Sequence, residues 1–69
     1  MIEVFKTNVQ EVDQSKIIIF KLLEHFPNSR INFDLEDCDK ILRVYNDSIS
    51  NKKIIELVNS FGYQCEVLL

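Results

Sequence analysis

The chain is poor in the residues from which small proteins assemble reactive sites. It has no tryptophan, one glycine, one proline, one histidine and two cysteines. Two cysteines, Cys38 and Cys65, are too few for the disulfide framework of a small secreted domain. With His25 as the sole histidine, any histidine acid–base chemistry must use that side chain. No Ser-His-Asp or Cys-His grouping can be read from the sequence, and an enzyme is not expected. The longest unbroken apolar run, residues 17–20, is far too short to span a bilayer, which takes about 20 residues. The opening MIEVFK carries an early acid and no long apolar run, so it does not read as a signal peptide. Basic residues are also scarce, 8 against 11 acids for a net charge of −3. Nucleic-acid binding, which needs clustered Lys and Arg, is therefore disfavoured.

What is present suits one small core. The 69 residues allow one domain, 1–69, and 46% of them are apolar. A chain of this size buries roughly 60% of the surface it exposes when unfolded, so its stability is marginal. Too little Gly and Pro is present for a disordered or low-complexity segment. A reducing, cytoplasmic setting fits the cysteine usage.

Periodicity divides the chain into six segments. Residues 1–7 alternate apolar and polar, with Ile2 and Val4 against Glu3 and Lys6, and read as a strand. Asp13 is a candidate helix N-cap, with Val12 and Ile17 as a hydrophobic staple. Ile19, Leu22, Leu23 and Phe26 then fall on one helical face, and Pro27 stops the helix. Ile31, Phe33 and Leu35 alternate with Asn32, Asp34 and Glu36 as a half-buried strand. Asp37-Cys38-Asp39 reads as a tight turn, followed by a strand over 41–46. Ser50 is an N-cap candidate, Ile49 and Ile54 repeat the staple, and Ile54, Leu57, Val58 and Phe61 form a second helical face. Gly62 stands where a helix end takes positive φ, and residues 63–69 read as the last strand.

The order strand-helix-strand-strand-helix-strand predicts an α+β, ferredoxin-like βαββαβ sandwich. It has a four-stranded antiparallel sheet in the order 4-1-3-2, with both helices on one face. Several stretches also resemble the heavy-metal-associated domain of copper chaperones and metal-transporting ATPases. These are DLE at 34–36, the FP that ends the first helix, and LVNSFGY followed by QCEVLL. The resemblance covers nearly the whole chain and implies the same fold. The family's Met-x-Cys-x-x-Cys loop, whose two thiolates hold a soft ion, falls on TNVQEVDQSK here, so no metal ligand carries over.

The remaining candidates read mostly as structure. Cys65 alternates with Val67 toward the core, and Cys38 sits in an exposed turn. The acidic run DLEDCD lacks the Gly and distal Glu of a calcium loop and reads as a solvated hairpin tip. Lys16, Lys52 and Lys53 fall in the first turns of the helices, against the macrodipole preference. If Ile2, Val4, Leu42, Val44, Cys65 and Val67 face the helices, the open side of the sheet receives Phe5, Ile41, Arg43, Tyr45 and Leu68. Phe5 and Tyr45 then lie on the two central strands, as the stacking aromatics of RNA-recognition folds do. Arg43 is the only basic residue among them, and such a face more often marks a protein contact.

The expected function is thus a non-catalytic binding or assembly module. It would contact a protein partner or itself through the open sheet face or an exposed edge strand, the second or the fourth, without a cofactor, a metal, nucleic acid or a membrane. The alternatives are metal binding through non-standard ligands (Cys38, Cys65 or the acidic turn) and a small-molecule-sensing regulatory domain.

Overall fold

The computed structural model describes residues 1–68. Its elements are β1 (Ile2–Thr7), α1 (Val12–His25), β2 (Arg30–Asp34), β3 (Ile41–Tyr45), α2 (Asn51–Ser60) and β4 (Cys65–Val67). All strand pairs are antiparallel. The sheet order β2-β3-β1-β4 is the expected 4-1-3-2 order read from its other edge. No helix is long and apolar enough to cross a membrane.

Directly opposed residues of an antiparallel pair share a face, so the register decides what is buried. Phe5 stands opposite Leu42 on one side and Val67 on the other. Ile31 opposes Val44, and Phe33 opposes Leu42. This face meets Ile18 and Leu22 of α1 and Ile54 and Val58 of α2 in one core. Both helices therefore cover the same side of the sheet.

The assignment of β1 to its two faces needs correction. Phe5 was expected on the open side, but it is 0% exposed and sits in the core. Ile2 and Val4, expected inside, occupy the open face instead. The strand IEVFKT has apolar residues on both parities, so alternation alone cannot choose. Burying the aromatic ring removes the most apolar area from water, and that decides the parity. Thr7 ends the inward row without an unpaired polar group. Its hydroxyl donates to the Lys40 carbonyl (2.6 Å) and accepts from the Val9 N–H (3.2 Å).

The helix ends follow local chemistry. Glu11, not Asp13, is the N-cap of α1, and it makes no side-chain cap; Asp13 lies in the first turn, where an acid suits the helix dipole. Val12 and Ile17 are both exposed, so no staple forms there. The buried stripe of α1 is Ser15, Ile18 and Leu22, with Ile19 and Leu23 only half-buried beside it. The Phe26 N–H closes the helix on the Leu22 carbonyl (2.8 Å), just ahead of Pro27. Ser50 caps α2 as expected, accepting from the Lys53 N–H at 3.3 Å. Ile49 packs against the core beside the buried Ile54. Gly62 adopts φ +90 and ends α2. The last strand is shorter than the expected 63–69, and Leu69 lies outside the described residues.

Removing the Phe5 ring should cost about 3–5 kcal/mol. In a domain this small that lowers the melting temperature by more than about 12 °C. Tyr45→Ala, on the exposed face, should cost less than about 1 kcal/mol. Thermal denaturation of the two variants side by side checks the face assignment, because Phe5 on the open side would make both changes cheap.

Candidate interaction face

The open side of the sheet receives the even residues of β1 and β2 and the odd residues of β3. Ile2 stands directly opposite Tyr45, and Val4 directly opposite Arg43. The Leu68 N–H donates to the Val4 carbonyl at 2.9 Å, which carries the β1–β4 ladder one residue past β4. Ile2, Tyr45 and Leu68 are 45%, 40% and 38% exposed, and Val4 between them is half-buried. No secondary-structure element among the described residues covers this side.

Of the five residues expected on this face, Tyr45 and Leu68 are there as exposed apolar surface. Arg43 is there as a half-buried cation. Its guanidinium lies 3.6 Å from the Asp34 carboxylate and donates to the Asn32 side-chain oxygen at 3.5 Å. Ile41 has the right parity but is only 4% exposed, so it offers almost no contact surface. Phe5 is absent from the face, as shown above. Ile2 and Val4 complete it. A sequence signal for this existed: from Phe5 to Gln10 the even positions are Lys6, Asn8 and Gln10, all polar, while the odd ones are Phe5, Thr7 and Val9.

The junction between β1 and α1 is closed rather than open. Val9 is fully buried and belongs to the core. Ser15 is also buried, and its hydroxyl donates to the Val12 carbonyl at 2.7 Å. Asn8 accepts from the Gln64 N–H at 2.8 Å and ties the loop to the segment before β4. Val9 and Ser15 thus fill the inner side of the junction with packed side chains.

The two cysteines are free and differ in environment. Cys65 stands opposite Thr7 on the helix side of the sheet. Burial, with a smaller contribution from the Glu66 carboxylate, pushes its thiol from 9.0 up to about 12. Such a thiol is a packing residue and not a nucleophile. Cys38 is exposed between Asp37 and Asp39, and one ligand atom from each of the three lies within 4.8 Å of the others. Asp37 already accepts the Asp39 N–H at 2.9 Å, an Asx turn that accounts for the cluster locally. His25 is exposed in the last turn of α1, and no constellation forms around it among the described residues.

Of the three lysines expected in helix first turns, one sits elsewhere. Lys16 lies beyond the first turn of α1, since that helix begins at Val12. Lys52 and Lys53 do open α2, whose first turn has no acid of its own. Glu3 reaches across from β1 and accepts from the Asn51 side-chain amide at 3.2 Å. A carboxylate from a distant strand thereby faces the positive end of the helix.

The chain matches no family model, no curated protein and no solved structure. The likeness to heavy-metal-associated domains thus rests on its own sequence stretches, and the structure adds the small α+β architecture.

At about pH 8, a thiol reagent should label Cys38 at least about tenfold faster than Cys65, and unfolding should equalise them. The folded Cys65 thiol holds its proton more tightly than the unfolded one. Its contribution to stability is therefore complete below pH 9.0 and lost as pH rises toward about 12. Denaturant midpoints measured across that window should fall less steeply in Cys65→Ala than in the parent chain.

Proposed function

We propose that the chain is a non-catalytic binding or assembly module that works in a reducing, cytoplasmic setting. Its scaffold is of the heavy-metal-associated type, with the metal loop replaced by an apolar plug. It engages a protein partner, or a second copy of itself, through the open face of the sheet. The observation that carries this reading is the contiguous set Ile2, Val4, Tyr45 and Leu68, left in water on a domain with little apolar area to spare. Burying such side chains against a partner recovers roughly 25 cal/mol for each Å² of apolar surface covered. Tyr45 supplies the kind of amphipathic ring that dominates protein interfaces. The Arg43–Asp34 pair stands at the side of this patch and would orient a partner more than it would hold it.

Among the described residues no reactive grouping forms, which supports a binding role over a catalytic one. The one perturbed thiol is protonated, and two of the acid–base pairs near the face are engaged with each other. Asp34 holds Arg43, and Lys6 lies 3.8 Å from Asp39.

Replacing Ile2 and Tyr45 together by Asp should abolish association while leaving the far-ultraviolet circular dichroism unchanged, since neither side chain belongs to the core. Affinity capture from cell extract and solution mass over a range of concentrations read the two forms of association. Undiminished association of the folded double variant would refute the open-face reading.

A further inference from the structure

The sheet has two free edges, and their sequences behave oppositely when set against a second copy. β2 reads Arg30-Ile31-Asn32-Phe33-Asp34. Laid antiparallel on itself about Asn32, it places Arg30 opposite Asp34 of the second copy, and Asp34 opposite the second copy's Arg30. Ile31 meets Phe33 twice on the helix side, and Asn32 meets Asn32. Every directly opposed pair is complementary, and opposed charges and apolar pairs are what stabilise adjacent strands. β4, laid on itself about its centre, sets Glu66 against Glu66 and repels.

We infer that the chain forms a two-fold symmetric dimer by antiparallel pairing of the β2 edges. Three observations converge on it. Arg30 is exposed and makes no ion pair among the described residues, so its charge is available. The strand carries neither proline nor lysine, the usual guards of an exposed edge. A groove of about 580 Å³ opens between α1 and β2, lined by Val12, Ile19, Phe33 and Leu35 among others, so pairing covers apolar surface as well as backbone. The contact is isologous: each copy gives and receives the same groups, so it closes at two. The inference goes beyond the reading above, because it uses the edge and leaves both open faces uncovered.

The test reverses the charges one at a time. Arg30→Glu sets carboxylates against each other twice, and Asp34→Arg sets guanidinium groups against each other twice. Sedimentation equilibrium should find a dimer for the parent chain and a dissociation constant raised about tenfold or more for each variant alone. An equimolar mixture of the two variants restores both opposed pairs, and it should dimerise about as tightly as the parent. A folding defect would not be rescued by mixing. A monomeric parent at millimolar concentration overturns the inference. So does a dimer that neither reversal weakens, or one that mixing fails to restore. A dimer lost in the Ile2→Asp, Tyr45→Asp variant but untouched by charge reversal would place self-association on the open face and overturn the edge contact alone.

Discussion

A strand has two sides, and the Phe5 ring can occupy only one of them. Its burial between Leu42 and Val67 sets the register of β1 against both of its neighbours at once. A shift of one residue would expose the ring, drive Lys6 inward and turn Val4 and Ile2 toward the helices. From this register follow the inward positions of Glu3 and Thr7. Thr7 reaches the Lys40 carbonyl and Glu3 reaches Asn51. The open face is what remains: Ile2 and Val4 are outside because Phe5 is inside.

The elements were legible from periodicity, and the faces only in part. In α2 and its C-cap, the stripe Ile54, Leu57, Val58 and Phe61 stands where the 3.6-residue period puts it, with Ile55 as the one further apolar residue of the helix. In α1, apolar residues are too many for one stripe. Ile17 and Phe20 remain in water while the small, polar Ser15 is buried. Hydrophobicity could not rank those positions; the rotation of α1 is set by what fits over Phe5, Leu42 and Val44. The same excess misled in β1, where both parities were apolar. Tyr45 and Arg43 are legible on the open face because Leu42 and Val44, the apolar residues on either side of Arg43, share the opposite parity. The Glu3–Asn51 contact, which joins residues far apart in sequence, left no local trace.

The start of α1 differs from the loop of the family that the chain resembles. In the family that the chain resembles, that loop offers two sulfur ligands to an ion. Here the corresponding stretch turns inward, and Val9 takes a place in the core. The stretch is held by buried apolar area and by the Gln64 N–H, which donates to the Asn8 side-chain oxygen.

The order of the strands has a consequence for how the molecule comes into being. β1 is the first of the six elements to leave the ribosome, yet it lies in the interior of the sheet, and one of its two neighbours, β4, is the last to emerge. Until residue 67 is available to stand against Phe5, one flank of the nascent β1 has no partner. The ring that organises the finished domain waits longest for its cover, so its burial depends on the latest of the six elements and on a contact distant in sequence.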